Sequence, residues 1–406
     1  MPLRRIYIPK KNGKRRPLGI PCMRCRAMQA LHLQGLEPVA ETLADLNAYG
    51  FRPKRSTADA IGQCFLVLSR KNAAQWILEG DIKACFDRIS HPWLQEHIPM
   101  DKRILSQWLS AGYMEEGGVY PTEAGTPQGG IASPVLANMA LDGLEAVAQR
   151  AARNQKINVI KYADDFVITG ATKEVLEQQV RPAVTTFLRA RGLELSEEKT
   201  HITHIDEGFD FLGFNVRKYN GKLLIKPAKA SVKRFLADIR TLIKASKSAT
   251  TEQLIRQLNS KLRGWANYYR HVVSKATFNH VDHQVFWALR TWINRQHPRK
   301  SAHWRKHRYF RRDGLRQWVF FAKVRDESGA TVALDLFRAA SVPIVRHVKI
   351  QAKATPYEPA YAAYFTQRAR SRRVSRRTWP GSLSEIYSGA QGTTAWSHRV
   401  PLHGPL

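Results

Sequence analysis

Apolar positions along the chain follow two periods, and the switches between them mark the elements. Residues 6–9 and 18–20 form short apolar runs around Asn12-Gly13, the spacing of a hairpin. From Arg24 to Leu46, apolar Met28, Leu31, Leu36, Val39 and Leu43 recur at helical intervals, with Pro38 as a candidate break. Ser56 to Ser69 reads as a second helix. Trp76 to Ile82 reads as a buried strand that ends in an acid. Ser133 to Arg150 has helical spacing, with Pro134 in its first turn. Residues 158–162 and 166–169 are short apolar strands separated by Ala163-Asp164-Asp165, and Val175 to Arg191 is a helix closed by Gly192. Phe209 to Tyr219 and Lys222 to Ile225 pair around Asn220-Gly221. From Ser231 to His297 the pattern is almost wholly helical.

Charge separates these elements into two groups. The chain has 406 residues and a formal net charge of +32. Residues 1–206 hold 27 Lys and Arg against 22 Asp and Glu, whereas residues 207–406 hold 38 against 11. The second half therefore repels itself unless it meets a polyanion, and nucleic acid is the expected partner. A hydrophobic share of 43% excludes a disordered basic tail as the whole molecule. There is no apolar run of about 18 residues and no apolar signal core at Met1–Tyr7, so a membrane span and secretion are not expected. The expected location is the cytosol of a bacterial-type cell, with nucleoid association. Four cysteines, Cys22, Cys25, Cys64 and Cys85, exclude a disulfide scaffold. Cys22 and Cys25 have no partner pair, and zinc is not expected there. After about Gln367 the apolar period fades into Ser, Arg and Gly, which reads as a poorly ordered tail.

The acids near strand ends carry the candidate chemistry. Asp164-Asp165 at a hairpin tip is on its own an ordinary turn pair. Asp81 at the end of a buried strand changes that reading. Three converging carboxylates are able to hold two Mg²⁺ ions about 3.5–4 Å apart, the arrangement that supports in-line nucleotidyl transfer.

At these residues the sequence resembles the group II intron reverse transcriptase/maturase family. Tyr162-Ala163-Asp164-Asp165 resembles the reverse transcriptase box. The same order of boxes runs through Ile8–Lys10 with Arg16–Pro21, Gly50–Pro53, Gly80–Asp87, Gly125–Gly130, Ser133-Pro134, Gly192–Thr200 and Phe211–Phe214. The resemblance spans about residues 4–365, and the ordered set is far more specific than any one box. It implies an α+β right-hand polymerase: fingers and an antiparallel palm sheet over 1–225, a helical thumb and maturase domain over 226–367, and a basic tail over 368–406. It implies RNA-directed DNA synthesis with two Mg²⁺ ions and dNTP substrates. The implied partners are a group II intron RNA, an RNA template and a DNA primer.

The resemblance also implies roles by position. Asp81, Asp164 and Asp165 are the expected catalytic metal ligands. Lys10, Arg16, Ile82, Phe86 and Gln128 are expected around the incoming nucleotide, with Phe86 facing the sugar. On the residues alone, Lys10 and Arg16 read equally well as a solvated turn, and Phe86 as a core residue. Phe211, Leu212 and Gly213 are the expected primer grip, or a plain strand turn. Arg52 and Lys199 are expected at the phosphate backbone or the acids, and Asp87 behind Asp81. Arg263, Trp265, Tyr268 and Arg270 resemble the maturase-domain signature. Together with Arg305, Lys306 and Arg308 they are expected along an RNA track, with Trp304 and Tyr309 stacking on unpaired bases. Leu254, Leu258 and Leu262 read as the core stripe of a helical bundle.

Two features depart from the family pattern. The chain begins almost at the first box, without the usual preceding segment. It also lacks the later paired cysteines of an endonuclease domain, so no DNA endonuclease is expected. Two alternatives remain: an RNA-binding splicing cofactor without polymerase activity, and a reverse transcriptase of a retron or defence lineage.

Overall fold

The structure, a computed structural model, describes residues 1–9, 13, 15–326 and 328–377, without the side chains of 372–377. The described residues divide into two compact units: Met1–His204 together with residues 349–377, and Ile205–Val348. The architecture is mixed α+β, with antiparallel sheets and a helix-rich later part.

The first unit opens with strands β1 (Leu3–Pro9) and β2 (Arg15–Ile20), an antiparallel hairpin in which Pro9 faces Arg15. Helix α1 (Met23–Leu43) follows, capped by the Cys22 sulfur, which accepts the Cys25 N–H. Pro38 sits inside α1 without ending it. Helix α2 (Thr57–Leu68) leads to strand β3 (Trp76–Asp81). Strands β4 (Tyr113–Glu115) and β5 (Gly118–Tyr120) complete a sheet of order β2-β1-β4-β5.

The second sheet of this unit carries the acids. Its order is β6-β7-β3-β8, with β6 at Asn158–Tyr162, β7 at Asp165–Gly170 and β8 at His201–His204. β3 lies between β7 and β8, so both of its hydrogen-bonding edges are paired. Leu78, Val159, Phe166 and Ile168 of this sheet share one core with Leu136, Ala140, Leu144 and Ala148. Gly80 is required within it: a Cβ there would lie 2.2 Å from the Phe166 ring.

The expected single helix from Ser133 to Arg150 is two, α3 (Ser133–Leu141) and α4 (Leu144–Ala151). Gly143 takes φ +94° between them, and its N–H donates to the Asp45 carboxylate at 3.0 Å. The break has a purpose that periodicity does not reveal. Lys161, in the middle of β6, is 1% exposed. Its ammonium donates to the freed Leu141 carbonyl at 2.7 Å, to Asp142 at 3.0 Å and to Asp45 at 3.1 Å. A buried ammonium has three protons to place: the interruption between the two helices supplies two acceptors, and Asp45, just beyond α1, supplies the third.

The second unit begins with an antiparallel meander, β9 (Phe209–Phe211), β10 (Phe214–Tyr219) and β11 (Lys222–Pro227). The expected strand from 209 to 219 is split at Leu212-Gly213, both at positive φ (51° and 81°). Three helices follow, α5 (Lys229–Ala245), α6 (Thr251–Tyr269) and α7 (Lys275–Gln296). Thr250 and Gln253 form a reciprocal capping box at the start of α6. Leu254, Leu258 and Leu262 are in the core with Val281, Val285 and Leu289, as their spacing predicts.

A short helix, α8 (Ala302–Tyr309), then leads into a three-stranded sheet of β12 (Phe310–Asp313), β13 (Arg316–Arg325) and β14 (Thr331–Asp335). This sheet was not anticipated. Its alternation, with Phe320, Ala322 and Val324 buried, is masked in sequence by the surrounding basic residues.

The chain ends, as described, in α9 (Ala362–Arg377), so residues 368–377 of the expected tail are helical. Arg368 pairs with the fully buried Asp59 at 2.8 Å, fixing this helix to the first unit. The remainder of the expected tail, 378–406, lies outside the described residues.

Replacing Lys161 by Met leaves two carboxylates and a carbonyl without their donor. Chemical denaturation should show the first unit destabilised by about 3–5 kcal/mol, the cost of breaking a buried charge pair. A change under about 1 kcal/mol would mean that water replaces the ammonium.

Candidate active site

The acids meet at one end of the β6-β7-β3-β8 sheet. Asp81, the last residue of β3, stands opposite Asp165, the first residue of β7. Tyr162 pairs with Asp165 from the other side, leaving Ala163 and Asp164 as the turn. Ala163 takes φ +56°, a left-handed conformation that a tight turn demands. Asp165 is thus a strand residue rather than part of the loop, and this register brings it level with Asp81. Gly50 supports the turn from below. A Cβ at Gly50 would lie 2.3 Å from the Ala163 nitrogen, and the Gly50 carbonyl accepts the Asn138 amide at 2.9 Å.

The electrostatics are those of crowded like charges. Burial pushes the Asp165 carboxyl up to about 7, reinforced by the charges of Asp164 and Asp81 and by a hydrogen bond with Asp81. Asp164 is also raised, first by burial, while Arg16 and Lys199 partly oppose the rise. Lys199 is the near cation. The segment before it lies along the end of β3: the Lys83 N–H donates to the Glu194 carbonyl at 2.9 Å, and the Ser196 N–H to the Asp81 carbonyl at 2.8 Å. This brings the Lys199 ammonium to Asp81 at 2.8 Å. That hydrogen bond is the main reason the Lys199 pKa is raised.

Crowded hard oxygen donors with a single near cation suit Mg²⁺. Among the described residues no group of three or more His, Cys, Asp or Glu is placed so that together they could hold a metal ion. Mg²⁺ does not need such a group, because it is held by one or two carboxylates and completes its shell with water and substrate phosphates. Asp81, Asp164 and Asp165 therefore fit the ion by donor type and charge.

The residues expected around a nucleotide divide. The Arg16 charge acts on Asp164 from β2. Lys10 lies outside the described residues. Phe86 is half-buried, with its ring edge-on to Phe51 at 6.0 Å. Gln128 donates to Asp87 at 3.1 Å, and its carbonyl accepts the Gly19 N–H at 3.0 Å, tying its loop to β2. The Ile82 side chain is 2% exposed and belongs to the core.

Arg52 does not reach phosphate or the acids. It is buried, with bidentate bonds to Glu41 at 2.7 and 2.9 Å and further bonds to the backbone carbonyls of Glu41, Asp45 and Ala48, so it anchors the Gly50 loop. Gly50, Asn138 and Glu41 were missed as supports. A glycine beside a helix-capping region is visible in sequence, but its contact is not.

In the second unit, Phe211 is buried, and the Leu212-Gly213 turn is held by Tyr268 and Tyr269. Their hydroxyls donate to the Leu212 and Gly213 carbonyls at 2.8 and 3.1 Å. Tyr268 also stacks on Phe214. Trp265 stacks on Phe235 with ring centroids 4.7 Å apart and planes 9° from parallel. Arg263 lies over the Phe337 ring, and the Arg270 carbonyl accepts the Val345 N–H. Trp265 and Tyr268 are thus packing residues. Tyr309 is 7% exposed, which removes it as a stacking platform. Arg305 and Lys306 are partly exposed on α8, and Arg308 is fully on the surface. No helix among the described residues is long and apolar enough to cross a membrane.

Comparison with known proteins follows this division. Residues 8–216 match the family described as reverse transcriptase (RNA-dependent DNA polymerase). Residues 232–310 match the group II intron, maturase-specific domain. Protein YkfC of Escherichia coli (strain K12) is 32% identical over 254 residues, covering 52% of this chain and 66% of that protein. The group II intron-encoded protein LtrA of Lactococcus lactis subsp. cremoris is 28% identical over 364 residues, covering 66% of this chain and 60% of that protein. The chain thus spans under two thirds of the length of these relatives.

The raised Asp165 pKa has a testable sign. A carboxyl that is harder to ionise when folded costs stability above its folded value, and costs nothing below its unfolded value near 3.8. Asp165→Asn should therefore melt higher than the parent at pH 8 without divalent metal. The advantage should shrink as pH falls through about 7 and vanish near pH 4. An advantage equal at pH 8 and pH 5 would remove the crowding account.

Proposed function

The chain belongs to the reverse transcriptase family and carries a group II intron maturase-specific domain; from that premise we propose that it is an RNA-directed DNA polymerase that also binds its intron RNA. The observation that carries this reading is the register that sets Asp81 level with Asp165, with Asp164 in the adjoining turn. In this reading residues 1–225 act as fingers and palm, 226–367 as thumb and maturase domain, and 368–406 as a basic tail. The protein works in the cytosol, on the nucleoid or on its RNA.

Asp81 and Asp164 would hold two Mg²⁺ ions, with Asp165 as the further acid of the set. When bound, Mg²⁺ supplies acidity to a primer 3′-hydroxyl and neutralises charge on the leaving pyrophosphate. The 3′-oxygen bonds to the α-phosphorus of a dNTP as the bond to pyrophosphate breaks. The chain's own residues set the geometry for that displacement. Lys10 and Arg16, six positions apart across the β1–β2 turn, neutralise the triphosphate from the fingers. The Gln128 loop, with its glycines, allows close backbone approach to the nucleotide. Phe86 fills the space that a 2′-hydroxyl needs, and its edge contact with Phe51 keeps the ring in place. Ile82 acts through its backbone beside Asp81. The turn at Phe211, Leu212 and Gly213 grips the primer, stiffened by the two tyrosine hydroxyls. Arg305, Lys306 and Arg308 offer cations to the intron RNA backbone. Arg263 on α6 and Arg270 at its C-terminal cap join them as candidate contacts to the RNA.

Primer extension on an RNA template tests the polymerase. Asp164→Ala should reduce extension to background while leaving RNA affinity unchanged; retained extension would refute the metal-site assignment. A splicing cofactor without polymerase activity predicts instead no extension by the unsubstituted chain. Phe86→Ala should raise ribonucleotide incorporation relative to deoxynucleotide by about tenfold or more, the scale of a single steric contact. Unchanged selectivity would return Phe86 to a packing role.

A further inference from the structure

A shallow, solvent-open cleft lies within the second unit, between α7, α8 and the β12–β13 hairpin. Arg290 and Asn294 line it from α7, Arg305 and Lys306 from α8, Phe310 from β12 and Trp318 from β13. Its lining among the described residues thus holds three cations and no carboxylate.

The cations are not neutralised locally by the contacts they make. The Arg305 guanidinium donates to the Asn294 amide oxygen and to the Ser301 carbonyl, both neutral. Arg290 lies over the Trp287 ring, 5.0 Å from its centroid. Arg311, on the neighbouring strand, instead has a bidentate pair with Asp335. The cleft is therefore a place where positive charge is gathered and left open, at a cost in self-repulsion.

Trp318 supplies a flat surface there. It is 46% exposed although it is one of the largest apolar side chains in the unit. Its orientation is fixed from two sides by edge contacts, with Phe310 at 5.3 Å and 70° and with Phe286 at 6.0 Å and 88°. The Lys306 ammonium lies 4.7 Å from the ring centroid. An exposed cation–π contact is weaker than base–aromatic stacking, so an incoming base displaces the ammonium, which stays within reach of the adjoining phosphates.

We propose that this cleft seats one unpaired nucleotide of an RNA strand, with its base on Trp318 and its phosphates between Arg290 and Arg305. The inference deepens the reading of the second unit as an RNA-binding domain and rests on it. It assigns the stacking role to Trp318, and it adds Arg290 to the cations. A base-paired strand offers no free base face, so the cleft discriminates single-stranded from duplex RNA.

Fluorescence anisotropy with the full chain tests this. The probes are a labelled single-stranded RNA of about ten nucleotides and a labelled RNA duplex of equal length. Trp318→Ala should weaken single-strand binding about tenfold or more and leave duplex binding unchanged, and Trp318→Phe should recover most of the loss. Arg290→Gln should weaken single-strand binding and lower the log–log salt slope by about 0.7, one phosphate contact fewer. If Trp318→Ala leaves single-strand affinity intact, or weakens both probes equally, the pocket is overturned while general RNA binding stands. Salt-independent or absent binding by the unsubstituted chain would overturn the RNA-binding reading itself.

Discussion

Three carboxylates at one end of a buried sheet repel one another, and burial strengthens that repulsion because little water is left to screen it. Asp81, Asp164 and Asp165 are in this position, and the consequence is visible in Asp165, whose carboxyl is driven up to about 7. A fold that holds such a group must fix the backbone on either side of it. Much of the first unit can be understood as meeting that requirement. Gly80 lets Phe166 pack across β3, Gly50 lets a loop press against the Ala163–Asp164 turn, and Arg52 fastens that loop to α1 through Glu41.

Lys161 extends the same logic one layer deeper. It sits on the strand that delivers Tyr162 to the turn, and its ammonium ties β6 to Asp45 and to the gap between two helices. The strand is therefore fixed by charge as well as by apolar packing. Lys199 acts on the cluster directly, through Asp81. Its ammonium neutralises Asp81 at 2.8 Å, and its side chain is 65% exposed, so the contact is open to exchange with solvent or ligand. A deep, fully paired lysine holds the scaffold, and a shallow one moderates the site.

The sequence made some of this legible and hid the rest for identifiable reasons. The apolar strands around Asp81 and Asp164, the β1–β2 hairpin and the three helices from 229 to 296 follow directly from hydrophobic period. The break at Asp142-Gly143 was hidden because the apolar pattern runs through it unchanged; what ends the helix is a lysine twenty residues away in sequence. Arg52 looked like a phosphate ligand because a basic residue in a family box suggests one, whereas its partner Glu41 lies in the last turn of α1. Trp265 and Tyr268 looked like RNA contacts because they lie in the stretch that resembles the maturase-domain signature, yet one stacks on Phe235 and the other holds the Leu212-Gly213 turn. The β12–β14 sheet was obscured by its basic flanks. With it went Trp318, whose significance depends on a cleft that no local pattern encodes.

The two units thus use charge in opposite ways. One concentrates acids that call for divalent cations, and the other gathers bases that call for phosphate. Direct counting of bound divalent ion tests the first of these, on which the polymerase reading depends. Mn²⁺ binding followed by electron paramagnetic resonance, with a dNTP and primer–template present, should reveal tight sites that Asp81→Asn and Asp164→Asn each abolish. Tight Mn²⁺ sites that survive both substitutions would show that the acids at the end of this sheet do not hold the metal.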